Sequence, residues 1–169
     1  MPHKKIFIIG FMGAGKTSLG KILAKKLSIP VFDLDEIIER EEKKTIADLF
    51  SKMGEEEFRK LEGKYLKEFS YPEEFIMSTG GGTPCFYDHM DWMNSTGKTF
   101  YLQLNPKSLS ARLIQAKDQK RPLLKEIQGQ DLENYITQKL KEREPYYLLA
   151  NYQLKGENVK LEDLIGLLL

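Results

Sequence analysis

Residues Gly10 to Thr17 form a glycine-rich stretch, Gly-Phe-Met-Gly-Ala-Gly-Lys-Thr, between two segments of different periodicity. Before it, Lys4 to Ile9 is a short apolar run bounded by glycine, which is typical of a strand buried on both faces. After it, apolar side chains recur at helical spacing from Lys16 to Leu27. A buried strand, a glycine turn and a helix in this order favour an α/β fold.

The rest of the chain continues to alternate between strand and helix patterns. Further strands are predicted at 30–35, 75–79, 100–104 and 152–154, and further helices at 108–116, at 132–149 and from Leu161 onward. The charged stretch 36–69 predicts three helices, with Thr45 as an N-cap and Gly54 between two of them. This alternation predicts a three-layer, doubly wound, open parallel sheet of about five strands. Ligands of such folds bind beyond the carboxyl ends of the strands, where the glycine stretch lies.

The length of 169 residues suits one compact domain, 1–169. Within it, about 36–69 is a helical insert after the second strand. The polar segment at about 118–131 contains Arg121-Pro122 and Gly129 and breaks the helical periodicity, which favours a mobile flap. We call residues 118–131 the lid segment.

Charge and cysteine content narrow the function classes. The 26 basic and 25 acidic side chains leave a formal charge of +1, which gives no support for nucleic-acid binding. Cys85 is the only cysteine, so a reducing compartment is expected. No apolar stretch reaches the roughly 20 residues of a membrane span, and the apolar N-terminal run is interrupted too early for a signal peptide. We expect a cytoplasmic protein that binds neither membrane nor nucleic acid.

The stretch Gly10 to Thr17 also satisfies G-x-x-x-x-G-K-[ST] in the strand-to-helix setting that a P-loop requires. Glycines let the backbone turn successive N–H groups inward, and the helix adds its positive N-terminal end. The pattern predicts a nucleotide phosphate site in which Lys16 reaches the β- and γ-phosphates and Thr17 holds Mg²⁺. The alternative is a glycine turn that caps a helix beside a solvated lysine. Guanine specificity is unsupported, since residues 105–108 depart from the base-reading motif of GTPases.

Two acids follow the second predicted strand. Asp33 and Asp35 lie two residues apart at its end, which predicts that their side chains point to the same face. Asp33 would support Mg²⁺ through water, and Asp35 would accept a hydrogen bond from a substrate hydroxyl and orient or deprotonate it. The alternative for Asp35 is the N-cap of a helix that begins at Glu36.

The triple glycine Gly80-Gly81-Gly82 follows a third predicted strand. Residues without side chains let a ligand approach backbone N–H groups closely. The alternative is a loose turn.

Three arginines are candidate ligands for anionic groups, although most arginines are solvated surface residues. Arg121 lies in the lid segment, where its cation would meet the charge on a phosphoryl group in transit. Arg59 belongs to the helical insert, and Arg143 precedes Pro145-Tyr146-Tyr147.

In combination, these motifs resemble shikimate kinase, and the resemblance covers nearly the whole chain. The first motif is shared broadly among kinases, whereas the combination is specific. The matching segments are Gly10 to Ser18, Asp33-Leu-Asp35, Gly54-Glu55 through Phe58-Arg59 with Glu62, Gly80-Gly81-Gly82, Arg121-Pro-Leu-Leu124, and Arg143-Glu-Pro-Tyr-Tyr147.

The resemblance implies transfer of the ATP γ-phosphoryl group to the 3-hydroxyl of shikimate, a step towards chorismate and the aromatic amino acids. It implies that Asp35 binds the acceptor hydroxyls, that Arg59 and Arg143 hold the carboxylate and that Gly81 contacts the substrate. Arg121 would face the ATP phosphates and act in catalysis with Asp35 and Lys16. ATP and shikimate are the expected partners of a monomer, with Mg²⁺ held at Thr17 and Asp33. The implied nucleotide-binding residues are Gly13, Ala14, Gly15, Lys16, Thr17, Ser18, Arg112 and Arg121.

The chain departs from the family pattern near its C-terminus. After Tyr147 it continues Leu148-Leu-Ala-Asn151, without the glutamate and aspartate often found there. No proline follows Tyr147 to mark the adenine loop of the family. The resemblance implies Arg112 as the stacking candidate for the base.

Two other readings stay open on the sequence. A kinase for gluconate or for a nucleoside monophosphate would share the P-loop and the lid, but two arginines suit a carboxylate better. A nucleotide-dependent switch without turnover would need a nucleotide-sensing segment and an exposed partner surface, and the sequence indicates neither.

Overall fold

Five parallel strands form the centre of the computed structural model, which describes residues 4–116 and 130–168. They are hydrogen-bonded in the order β2-β3-β1-β4-β5, which confirms the predicted class of open parallel α/β sheet. The strands are β1 Lys5–Ile9, β2 Val31–Asp33, β3 Phe75–Ser78, β4 Lys98–Gln103 and β5 Tyr152–Lys155.

The helices pack around this sheet. In the described residues they are α1 Lys16–Leu27, α2 Leu34–Glu42, α3 Ile46–Glu68, α4 His89–Thr96, α5 Pro106–Ala116, α6 Gln130–Tyr147 and α7 Leu161–Gly166, with a 3₁₀ turn at Thr83–Cys85. Helix α4 and the 3₁₀ turn were not predicted, because both are too short to show a helical period. Residues 117–129, which include Arg121 and most of the lid segment, lie outside the described residues. No helix in the two described ranges is long and apolar enough to span a bilayer.

Strand β1 is the centre of the core, as its continuous apolar run predicts. Ile6 to Ile9 are at most 1% exposed because β3 and β4 flank them in the sheet and helices cover both faces. This burial fixes the end of β1, and therefore the start of the glycine loop, within the sheet.

The charged insert contains three helical segments, as predicted. Thr45 accepts a hydrogen bond from the Asp48 amide at 3.1 Å and so caps α3. At Gly54 the backbone leaves the helical region, with φ 78° and ψ 170°, and divides α3 in two. The second half of α3 carries Arg59 and Glu62 towards the carboxyl edge of the sheet.

The departure after Tyr147 has a structural counterpart in Asn151. The side-chain oxygen of Asn151 accepts a hydrogen bond from the Thr99 backbone amide at 3.0 Å. The backbone amide of Asn151 donates to the Thr99 hydroxyl at 2.8 Å. Thr99 is fully buried and also contacts the Asn94 side chain. Asn151 therefore connects the residues after α6 to the start of β4 through its side chain and its backbone.

Candidate active site

A cavity of ≈ 1020 Å³ opens beyond the carboxyl ends of the strands. Within the described residues, it brings together the glycine loop, both acids after β2, the triple glycine and two of the three candidate arginines. The residues of interest that line it are Gly13, Gly15, Lys16, Thr17, Ser18, Asp33, Asp35, Arg59, Gly80, Gly81, Gly82, Arg112 and Arg143. These motifs therefore share one edge of the sheet.

The glycine loop needs glycine for its backbone conformation. Gly10, Gly13 and Gly15 have φ values of 149°, 80° and 95°, in the left-handed region that side chains disfavour. A Cβ on Gly10 would also lie 2.8 Å from the Leu102 carbonyl oxygen. The loop can therefore fold tightly in front of the N-terminus of α1, where unpaired amides and the helix dipole favour an anion.

Lys16 is held inside this loop. Its ammonium group donates to the carbonyls of Gly10 at 2.6 Å and Phe11 at 2.9 Å, and the residue is only 9% exposed. Ala14 is buried, and its amide donates to the Phe11 carbonyl at 3.2 Å. Ser18 is exposed on the cavity wall. The charge of Lys16 is thus fixed where the loop would surround a phosphate.

Arg112 lies beside the same loop. Its Nε donates to the Gly13 carbonyl at 2.8 Å, and its guanidinium occupies the space next to Gly15. Because the residue is exposed and faces the cavity, its planar group is available for stacking.

Thr17 and Asp33 form the second part of the phosphate side. The Thr17 hydroxyl donates to Asp33 Oδ2 at 3.0 Å, while Asp33 Oδ1 accepts from the Glu36 amide at 3.2 Å. A hydroxyl and a carboxylate are hard oxygen ligands of the kind that Mg²⁺ takes together with substrate phosphates and water. Thr17 and Asp33 are therefore the candidate metal ligands of this cavity. The described ranges hold no cluster of three or more His, Cys, Asp or Glu residues.

The prediction that both acids end a strand was wrong. Strand β2 ends at Asp33 and α2 begins at Leu34, because the Asp33 carboxylate caps that helix. Asp35 lies in the first turn of α2, so the alternative in which Asp35 is the cap is also wrong. Both carboxyl groups nevertheless line the cavity, since the helix turns Asp35 inward.

Asp35 lies deep in the cleft, where only part of its surface faces the open cavity. Burial raises the pKa of its carboxyl group to about 7, and the negative charges of Glu62 and Asp33 add to this rise, while Lys16 opposes it. A carboxyl group with this pKa can be ionised at neutral pH and can still accept a proton readily. Asp35 is therefore the candidate general base among the residues that line the cavity.

Arg59 also lines the cavity. Its Nη1 donates to Glu62 at 3.0 Å, and its guanidinium lies 4.4 Å from the centre of the Phe86 ring. Glu62 is 1% exposed and accepts a second hydrogen bond from the Thr83 hydroxyl at 2.7 Å. The Nε of Arg59 is buried and has no hydrogen-bond partner among the described residues.

Arg143 approaches the triple glycine from α6. Its guanidinium lies 5.6 Å from the centre of the Phe11 ring, and a Cβ on Gly81 would be 3.0 Å from its Nη1. That nitrogen is buried without a hydrogen-bond partner in the described part of the chain. Tyr147 donates its hydroxyl to the Gly81 carbonyl and so holds the turn in place. Two arginines thus lie beside the triple glycine, Arg143 at Gly81 and Arg59 at Gly82.

The triple glycine provides room for these guanidinium groups. A Cβ on Gly82 would overlap Arg59 Nη2 and would lie 2.7 Å from Arg59 Cζ. The backbone of Gly82, with φ −89° and ψ −14°, would itself accept alanine. Glycine is needed here for the close approach of Arg59.

We expect the substitution Gly82→Ala to lower kcat/KM for an acidic acceptor by about 10²-fold, because it displaces the Arg59 guanidinium. The KM for the nucleotide should stay within about twofold. Steady-state kinetics with each substrate varied in turn would measure both values. Gly166→Ala is the matched control, since nothing lies within 4 Å of the Cβ it would add. Equal losses for both substrates would contradict a role in the acceptor site.

Several residues that complete the site were missed in the sequence. Phe50 and Phe58 line the cavity and Phe86 lies against Arg59, although aromatic side chains more often belong to the core. Glu62 had no assigned role, yet its spacing of three residues from Arg59 on a helix is a signal for an ion pair. Arg121, a predicted catalytic residue, lies outside the described residues.

Comparisons with known proteins agree with this arrangement. The shikimate kinase family model matches residues 12–164. The shikimate kinase of Bacteroides fragilis is 48% identical over 159 residues, covering 94% of this chain and 87% of that protein. The crystal structure of shikimate kinase from Bacteroides thetaiotaomicron has a TM-score of 0.93 and 43% identity, covering 98% of each chain. Shikimate kinase from Acinetobacter baumannii, solved in complex with shikimate, has a TM-score of 0.83 and 30% identity over 98% of this chain and 90% of that one.

Proposed function

The chain belongs to the shikimate kinase family, and on that premise we propose that it transfers the γ-phosphoryl group of ATP to the 3-hydroxyl of shikimate. The observation that carries the proposal is the pairing of two anion sites in one cavity. The glycine loop, Asp35, Arg59 and Arg143 all line this cavity. Arg143 lies beside the loop, 5.6 Å from the centre of the Phe11 ring.

On the nucleotide side, the residues fit a triphosphate with Mg²⁺. Lys16 would exchange its two carbonyl partners for oxygens of the β- and γ-phosphates, which are stronger acceptors. Thr17 and Asp33 would hold Mg²⁺, Thr17 through its hydroxyl and Asp33 through water. The ion supplies positive charge that offsets the charge on the phosphate oxygens.

On the acceptor side, Arg59 and Arg143 would bind the carboxylate. Guanidinium groups offer planar, paired donors that match a carboxylate in shape, and both arginines line the cavity. Two such contacts beside Gly81 would fix the ring, so that a hydroxyl on its other side points towards Asp35. This positioning is the main demand of phosphoryl transfer.

The transfer step then follows from the geometry of Asp35. The acceptor oxygen forms a bond to the γ-phosphorus as the bond between that phosphorus and the β–γ bridging oxygen breaks, and ADP leaves. The hydroxyl proton passes to the Asp35 carboxylate. Lys16 stabilises the charge that develops on the transferred group.

The remaining assignments extend this proposal. Arg112 would stack on adenine, and Arg121 would bring a further cation to the phosphates from the lid segment. We also propose that the protein is a single-domain cytoplasmic monomer, on the grounds of its length and its single cysteine.

Acceptor choice tests the proposal directly. Coupled assays of ADP release with shikimate, gluconate and AMP as separate acceptors are expected to give turnover with shikimate alone. Turnover with gluconate or AMP only, or with none of the three, would overturn the assignment.

The pKa of Asp35 predicts a pH dependence. Because this pKa is raised to about 7, the carboxyl group is increasingly protonated as the pH falls below 7, and the base is lost. We therefore expect kcat/KM for shikimate to fall about tenfold for each pH unit below about 7. Initial rates between pH 5 and 9 at saturating ATP would measure the profile. An acid limb centred near pH 4 would show that Asp35 is not the titrating base.

A further inference from the structure

A chain of buried polar groups extends behind Arg59, away from the cavity. Glu62, Thr83 and His89 are 1%, 0% and 2% exposed. Burial of three polar side chains in a row is costly unless each one is hydrogen-bonded. Each of them has such a partner, and the partners connect the three residues to Arg59.

The contacts form a continuous path. Arg59 Nη1 donates to Glu62 Oε1 at 3.0 Å, and the Thr83 hydroxyl donates to the other carboxylate oxygen at 2.7 Å. His89 Nδ1 lies 2.8 Å from the carbonyl oxygen of Thr83. A carbonyl can only accept, so Nδ1 carries the proton and donates. The path runs from His89 through Thr83 and Glu62 to Arg59.

We propose that Thr83 and His89 are positioning residues of the acceptor site, which set the direction of the Arg59 guanidinium through Glu62. The proposal rests on the proposed function, in which Arg59 binds the carboxylate of the acceptor.

The contacts of Arg59 show why its guanidinium needs a group that fixes its direction. The Phe86 ring at 4.4 Å favours one plane for the guanidinium but allows it to rotate within that plane. Glu55 is 54% exposed and lies 3.6 Å from Nη2, so it restrains the group weakly. The bond to the buried Glu62 at 3.0 Å fixes the rotation. Paired donation to a planar carboxylate depends on that rotation.

Glu62 can fix Arg59 only if its own carboxylate is fixed. Arg59 holds one oxygen and the Thr83 hydroxyl holds the other, so both ends of the carboxylate are restrained. Without the hydroxyl, one buried oxygen would lose its partner, and the carboxylate could turn towards other donors. The Thr83 hydroxyl therefore controls the acceptor arginine from a distance of two hydrogen bonds.

His89 holds the backbone of Thr83 in position. The Thr83 amide donates to the Gly80 carbonyl at 3.2 Å, and its carbonyl accepts from His89. The imidazole packs against Gly63 so closely that a Cβ there would lie 2.6 Å from His89 Nε2. The ring therefore has one position, and it holds the turn that carries the Thr83 hydroxyl.

Paired variants separate positioning from simple packing. Thr83→Val keeps the shape and removes the hydroxyl, whereas Thr83→Ser keeps the hydroxyl. His89→Leu removes the donor, whereas His89→Asn places an amide nitrogen near the position of Nδ1. Thr99→Val is the matched control, because Thr99 is an equally buried threonine whose hydroxyl is hydrogen-bonded elsewhere.

The expected result is a selective loss of acceptor binding. Thr83→Val and His89→Leu should each raise the KM for shikimate about tenfold and leave the KM for ATP within about twofold. Thr83→Ser and His89→Asn should restore the KM to within about threefold of the parent value. Thr99→Val should lower the melting temperature without changing either KM. If Thr83→Val does not fold, the two His89 variants give the same test.

The variant Arg59→Lys separates a failure of the proposed function from a failure of the positioning proposal. If it leaves the KM for shikimate unchanged, the role of Arg59 in the proposed function fails. If it raises that KM and the Thr83 and His89 variants do not, the positioning proposal alone fails. If both proposals are right, adding Thr83→Val to Arg59→Lys should raise the KM for shikimate no further, because the Thr83 hydroxyl acts through Arg59. The positioning proposal would also be wrong if the Thr83 and His89 variants raised the KM for ATP as much as the KM for shikimate. An increase in the KM for shikimate with Thr99→Val would contradict it as well.

Discussion

Replacing Asp35 with asparagine is expected to lower kcat by roughly 10²-fold or more while ATP still binds. Asparagine has nearly the same shape and can still contact the acceptor hydroxyl, but its amide does not take up the proton. Lys16 and Thr17, which belong to the nucleotide side, keep their own hydrogen bonds. Steady-state kinetics and ATP titration by calorimetry would measure the two effects.

The same substitution should stabilise the protein at high pH. The pKa of Asp35 is raised from 3.8 to about 7, so folding makes ionisation of this carboxyl group harder. The resulting cost to the free energy of unfolding is absent below about pH 3.8, grows as the pH rises and is complete above about pH 7. Asp35→Asn removes that cost, so its gain in Tm should be larger at pH 8 than at pH 5.

Asp163→Asn serves as the control, because Asp163 is exposed on α7. It should leave kcat unchanged. A small loss of kcat in Asp35→Asn would reduce Asp35 to a residue that contacts the acceptor without accepting its proton. A Tm that falls equally at pH 5 and pH 8 would contradict the burial of its charge.

The glycine loop could be predicted from the sequence because its determinants are local. Left-handed glycines, the lysine and the helix start all lie within eight residues, from Gly10 to Thr17. The second strand was harder, since Asp33-Leu-Asp35 offers two possible caps two residues apart. Which one caps the helix is decided by the hydrogen bond from the Glu36 amide to Asp33.

The support behind Arg59 could not be predicted, because it depends on contacts between distant parts of the chain. Glu62 and Thr83 are 21 residues apart in sequence and meet only when α3 packs on the turn after β3. Phe86 approaches the guanidinium from the same turn. A sequence motif can identify the arginine that faces the ligand, whereas the residues that position this arginine depend on the tertiary fold.

Replacing Lys16 with methionine is expected to lower kcat by about 10³-fold, since it removes the cation that stabilises charge on the transferred phosphoryl group. Methionine fills a similar length, so the helix that begins at this residue should remain. The Gly10 and Phe11 carbonyls lose a donor, which should cost about 1–2 kcal/mol of stability.

Binding of shikimate separates this effect from general damage to the Lys16→Met variant. Arg59 and Arg143 lie on the acceptor side and do not contact Lys16 through any of the hydrogen bonds described above, so the Kd for shikimate should stay within about threefold. Calorimetry with shikimate and circular dichroism would establish this. Lys21→Met is the matched control, because Lys21 is an exposed lysine on the same helix and should retain full activity. Full activity in Lys16→Met would instead place the phosphate-binding charge elsewhere, and the glycine loop would then be only the cap of α1.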